Sequence, residues 1–133
     1  LKKEAQAADL TGTGRVLLVE DEDLVRSFGA RALKSRGYEV LEASDGREAL
    51  EIMQRENHRV DIVVSDVVMP EMDGPTLMKE LRKTNPDIKF IFVSGYPNEN
   101  FKAALDENAK FAFLPKPFSL PQLAAKVKQV MEK

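Results

Sequence analysis

Val60-Asp61-Ile62-Val63-Val64-Ser65-Asp66-Val67-Val68-Met69-Pro70 is a β-branched apolar run broken by a carboxylate, and Glu71-Met72-Asp73-Gly74 follows at once. Val63, Val64, Val67 and Val68 flank Asp66, which predicts a strand buried on both faces and ending at that aspartate. Pro70 and Asp73-Gly74 then supply loop and helix-cap chemistry. A carboxylate at the carboxyl end of a buried strand lies where open α/β sheets place their reactive groups.

Working outward from this strand, the chain alternates strand and helix. Val16-Leu17-Leu18-Val19 reads as a buried strand. Val25, Phe28, Ala32 and Leu33 repeat at helical spacing until Gly37 stops the helix. Tyr38 to Ala43 is a second strand, and Asp45-Gly46-Arg47-Glu48 a capping box for a helix burying Ala49, Leu50 and Met53. After the Asp66 strand, a helix capped by Asp73 buries Leu77, Met78 and Leu81 and ends at Asn85-Pro86. Ile88 to Val93 and Phe111 to Leu114 are further strands, and Ser119 caps a last helix carrying Leu123, Val127 and Val130. Pro97 to Lys110 has only Phe101, Ala104 and Leu105 as an apolar stripe, which predicts a short or frayed helix there. Five strands alternating with helices predict a doubly wound parallel sheet of order 2-1-3-4-5.

The 133 residues, 43% hydrophobic, suit one domain with a real core. Residues 1–14 lack a sustained apolar face and read as a flexible linker, leaving 15–133 as the domain. Thr11-Gly12-Thr13-Gly14 is a poor phosphate loop, because its glycines precede a strand. The first residue is Leu1 and not Met, which suggests a piece of a longer chain. A net charge of −2 argues against a nucleic-acid surface. The lack of cysteine excludes disulfides and thiolate metal sites, and a single histidine, His58, excludes histidine-based zinc ligation. No apolar stretch reaches the length of a membrane span.

Four strand ends carry reactive side chains: Glu20-Asp21-Glu22-Asp23, Asp66, Ser94 and Lys116. In a parallel sheet all carboxyl ends share one edge, and strands one and three are neighbours in the expected order. Glu20 and Asp21 therefore belong beside Asp66. Like charges at about 4 Å cost ~1 kcal/mol in water and roughly 4 at a surface-like dielectric, which a hard cation relieves. Oxygen-only ligation with several waters suits Mg²⁺. Lys116 adds a point charge for a phosphoryl oxygen and Ser94 a hydroxyl donor. Together they describe a phosphoryl-accepting site that makes an aspartyl phosphate.

These residues, with Met69-Pro70, Asp73-Gly74, Ser94-Gly95-Tyr96 and Leu114-Pro115-Lys116-Pro117-Phe118 in this order, resemble the receiver domains of two-component signalling over residues 15–132. Asp9-Leu10-Thr11-Gly12 and Phe92-Val93-Ser94-Gly95-Tyr96 are similar to receivers at the carboxyl end of hybrid histidine kinases. The resemblance implies a flavodoxin-like (CheY-like) fold with Asp66 as phosphoacceptor. Glu20, Asp21, Asp66 and the Val68 backbone carbonyl would hold Mg²⁺, and Ser94 and Lys116 the phosphoryl group. It implies a cis Lys116-Pro117 bond, and Phe113, Ser94 and Tyr96 as switch residues. Its partners would be a histidine kinase core and a histidine phosphotransferase docking on Leu24, Val25, Pro117 and Phe118, in the cytoplasm, with the isolated domain monomeric. Glu20 stands where Asp is frequent in the family and Ser94 where Thr is.

Several of these residues also have plain structural readings. Glu22 and Asp23 suit a solvated helix start. Asp73 is a cap, Phe113 is read equally as core or switch, and His58 as surface. Met53, Met72 and Met78 are packing. Three other functions compete. A haloacid-dehalogenase phosphatase needs a second aspartate where Val68 stands, and a nucleotide-binding flavodoxin needs a Gly/Ser/Thr loop where Glu20 to Asp23 would repel phosphate. The receiver of a stand-alone or DNA-binding response regulator is the third.

Overall fold

The computed structural model describes residues 12–95 and 110–132. Five strands, β1 (Arg15–Val19), β2 (Glu39–Ala43), β3 (Ile62–Asp66), β4 (Lys89–Ser94) and β5 (Ala112–Pro115), form one sheet. All pairings are parallel and the order is β2-β1-β3-β4-β5, as the sequence predicts. The described helices are α1 (Asp23–Ser35), α2 (Gly46–Arg55), α3 (Gly74–Thr84) and α4 (Leu120–Met131). The helix expected over Pro97 to Lys110 lies almost wholly outside the described residues, as does Tyr96.

Alternation along the strands divides the core in two. Leu17, Val19, Val63, Phe90 and Phe92 point to the face covered by α2 and α3, where Ile52, Met53, Leu77, Met78 and Leu81 pack. Val16, Leu18, Ile62, Val64, Ile91 and Val93 point to the face covered by α1 and α4, against Leu33, Leu123 and Val127. Every residue of β3 is buried, so Asp66 is delivered by the most enclosed strand of the sheet.

The helix boundaries follow from cap chemistry. Asp73 accepts from the Thr76 amide at 2.8 Å and Pro75 sits in the first turn of α3. Ser119 and Gln122 form a reciprocal capping box on α4. At α2 the box is shifted: Asp45 accepts from Glu48 N, but Glu48 reaches back to Ser44 N. Gly37, at φ 103°, closes α1 in the left-handed conformation that a side chain would disfavour.

Two expectations are corrected. Phe28 is 47% exposed, because it lies at the edge of the α1 stripe whose centre is Gly29, Ala32 and Leu33. His58 is only half-exposed, with its Nδ1 enclosed, because the α2–β3 turn bends at Asn57 and His58 (φ 54° and 60°). Gly12 N–H donates to the Arg36 carbonyl and Gly14 accepts from Glu39 N–H, so hydrogen bonding to the sheet precedes Arg15.

Candidate functional site

Asp66 is fixed by its backbone before its side chain meets anything. The Ser65 hydroxyl donates to the Asp66 carbonyl at 2.9 Å. Val67 N–H donates to Val93, and Gly74 N–H returns to the Val67 carbonyl at 2.8 Å. Gly74 is packed so closely that a Cβ there would lie 2.5 Å from the Asp66 carbonyl oxygen and 2.9 Å from the Phe92 ring. Only glycine allows the start of α3 to approach the end of β3 in this way.

Glu20 follows β1, with its amide donating to Ala43. Glu20 is buried and Asp21 exposed, so the two adjacent acids divide between the interior and the rim. Oxygens of Glu20, Asp21 and Asp66 all lie within 4.8 Å of one another. Opposite them, Lys116 follows β5, its amide donating to the Ser94 carbonyl at 2.9 Å. The Lys116-Pro117 bond is cis. Its ammonium lies 2.6 Å from Glu20 Oε1 and 3.1 Å from Asp66 Oδ2. Ser94 is buried at the end of β4 beside them.

The charges explain one another. Burial raises the Glu20 carboxyl above its usual value, against the hydrogen bonds from Lys116 and the Glu22 amide, while the nearby Asp66 charge pushes the same way as burial. Burial alone would lower the Lys116 ammonium, but its hydrogen bonds and charge contacts with Glu20 and Asp66 outweigh this and raise it. Lys116 pairs with two of the three carboxylates, Glu20 and Asp66, and Asp21 adds a third negative charge, so the cluster keeps an excess of negative charge. An all-oxygen donor set of this charge fits a hard divalent cation.

The other predicted residues separate by exposure. Val68 carries its side chain 72% exposed, two residues beyond Asp66. Phe113 is half-buried against the α2/α3-side core. Leu24 is 86% exposed, whereas Val25 and Phe118 are half-buried and line a small depression with Glu20 and Asp66. Pro117 is exposed at the same rim. Glu22 and Asp23 keep to the helix start, where Asp23 pairs with Arg26.

Arg26 was not legible as part of this site. Its guanidinium donates to the Glu20 carbonyl at 2.8 Å and to Asp23 Oδ1 at 2.7 Å, and lies 3.7 Å from Glu42 on β2. The available signal was a lone arginine one helical turn after a run of four acids.

Comparison with known proteins places this arrangement. The family model for the response regulator receiver domain matches residues 16–128. The chain belongs to the receiver-domain family. This receiver domain is 67% identical over 132 residues to the sensor kinase CckA of Brucella abortus, covering 99% of the chain but only 14% of that relative's length. It is 32% identical to the response regulator receiver protein CpdR of the same organism, over 88% of the chain and 96% of CpdR. A crystal structure of the receiver domain from the hybrid histidine kinase CckA superposes with a TM-score of 0.76 at 47% identity, covering 89% of this chain and 99% of that one. No described helix of the receiver domain is long and apolar enough to cross a membrane.

Proposed function

We propose that this receiver domain accepts a phosphoryl group from a phosphohistidine onto Asp66, in a Mg²⁺-dependent phosphorelay step. The observation that carries this reading is the meeting of Glu20, Asp21 and Asp66 with the Lys116 ammonium at one end of the sheet. An Asp66 carboxylate oxygen attacks phosphorus in line, the N–P bond breaks, and its electron pair returns to the imidazole. The Lys116 ammonium takes a phosphoryl oxygen and Ser94 donates a hydrogen bond to another. Glu20, Asp21, Asp66 and the Val68 carbonyl would hold the ion, with Glu20 acting mainly through water. When bound, Mg²⁺ supplies positive charge against the phosphoryl oxygens. Water attack on the aspartyl phosphate breaks its P–O bond to Asp66 and releases inorganic phosphate, an autodephosphorylation that the domain performs on itself and not as a stand-alone enzyme. Ser94, Phe113 and Tyr96 would carry the response to phosphorylation.

The parent chain in this reading is a hybrid histidine kinase, supported by the identity to CckA and the likeness to its receiver. The donor is then a histidine kinase core and the exchange partner a histidine phosphotransferase bundle, in the cytoplasm, with the isolated domain monomeric. The exposure of Leu24 and Pro117 beside the half-buried Val25 and Phe118 supports a docking rim around the Asp66 opening. A stand-alone or DNA-binding regulator has less support, since the regulator CpdR matches at 32% identity against 67% for CckA.

Incubation with acetyl phosphate and Mg²⁺ should add one phosphoryl group by mass, and Asp66→Asn should abolish it while the fold survives. Metal-dependent labelling that persists in Asp66→Asn would overturn the assignment.

A further inference from the structure

We infer that Arg26 is the positioning residue of the acidic pocket: its guanidinium fixes the peptide between Glu20 and Asp21 and thereby aims the Asp21 carboxylate. The inference rests on the reading of this pocket as a Mg²⁺ site.

The arginine ties three parts of the fold together. Its side chain is only 17% exposed, with contacts to Asp23 at the start of α1 and Glu42 on β2. A third contact, 2.8 Å long, runs to the carbonyl of Glu20. That carbonyl belongs to the rigid peptide plane joining Glu20 to Asp21, so holding it fixes the direction in which Asp21 leaves the backbone. The two acids differ in what else restrains them. The Glu20 carboxylate is held by Lys116 and by the Glu22 amide. No hydrogen bond or ion pair among the described residues holds the Asp21 carboxylate, so its aim depends on its backbone.

The charge of Arg26 points to the same role. A cation behind an acidic cluster repels the metal that the cluster would bind, so its placement is unfavourable to metal affinity on electrostatic grounds alone. Its contribution is therefore geometric. A planar fork can bond a carbonyl and a carboxylate at once, which a lysine ammonium on a flexible stem cannot reproduce.

The two roles predict opposite signs. Mg²⁺ titration of the whole domain, followed by amide shifts, is compared for the wild type, Arg26→Ala and Arg26→Lys. A positioning role predicts roughly 10-fold weaker Mg²⁺ binding in both variants, the usual scale for losing a residue that orients a ligand. The shift changes should be centred on Asp21 and Glu22, with unfolding still cooperative. A pure charge role predicts tighter binding in Arg26→Ala and wild-type affinity in Arg26→Lys, and either result overturns the inference. Should Arg26→Ala fail to fold, the charge-preserving Arg26→Lys decides alone. Absence of any Mg²⁺ response in the wild type would bring down the metal reading itself, and the inference with it.

Discussion

Lys116 and Glu20, 96 positions apart in the chain, meet at 2.6 Å, closer than the 3.1 Å that separates Lys116 from Asp66. The lysine that would neutralise a phosphoryl group is thus held first by the neighbouring glutamate. Glutamate is one methylene longer than the aspartate frequent at this place in the family, which extends its carboxylate toward the ammonium.

Stability should fall with pH through the titration of Glu20. Its folded carboxyl is raised above the ordinary 4.5, so the folded state holds more protons than the unfolded chain just above that value. The associated stability is complete below pH 4.5 and is lost as pH rises through the folded value. Glu20→Gln, which does not titrate, should therefore gain on the wild type as pH climbs from about 4 toward 7. Urea denaturation across this range checks it; a difference that stays flat or shrinks with pH contradicts the burial argument.

Lys116→Met should destabilise the domain at pH 7 by about 1–3 kcal/mol, because it leaves a buried carboxylate without its counter-charge. The loss should lessen as pH falls and Glu20 takes up a proton, since its folded carboxyl is raised above the ordinary value. Adding Glu20→Gln should recover most of it. Equal and additive losses in the single and double variants would show the two groups to be uncoupled.

Gly74→Ala should cost about 1–3 kcal/mol, the range for overpacking a well-filled interior. The added Cβ meets the Asp66 carbonyl oxygen and the Phe92 ring, so acetyl-phosphate labelling should fall alongside the melting temperature. Wild-type labelling and melting would mean that α3 shifts away freely.

Leu24→Ala should leave folding stability within about 0.5 kcal/mol, since the side chain is 86% exposed. Phosphoryl exchange with a histidine phosphotransferase should slow, while labelling by acetyl phosphate stays unchanged. Slowing of both reactions would point to a local structural role instead of a docking one.

The fold was readable because its signals are local. β3 announces itself by a run of valines, α3 and α4 by Asp73 and Ser119, and the turn after α1 by Gly37. Strand order followed from alternation of strand and helix, and the strand order then brought Glu20 beside Asp66. Side-chain partners across the sheet were less accessible. That Lys116 binds Glu20 before Asp66 depends on the reach of two flexible side chains from distant loops. Arg26 escaped because its partner is a backbone carbonyl, which leaves no mark in composition. Phe28 was misjudged for a different reason: at the margin of a helical stripe, a few degrees of rotation separate core from solvent.

A Cβ on Gly14 would lie 2.7 Å from Met131 at the end of α4, and the Met131 carbonyl accepts from Lys89 at the start of β4. Both ends of the described fold therefore gather at the sheet margin remote from Asp66. Any segment joined at either place would be fastened to the back of the domain. On the proposed reading it would leave the Asp66 opening clear for a phosphorylated histidine, with the length of the connection setting how often the two meet.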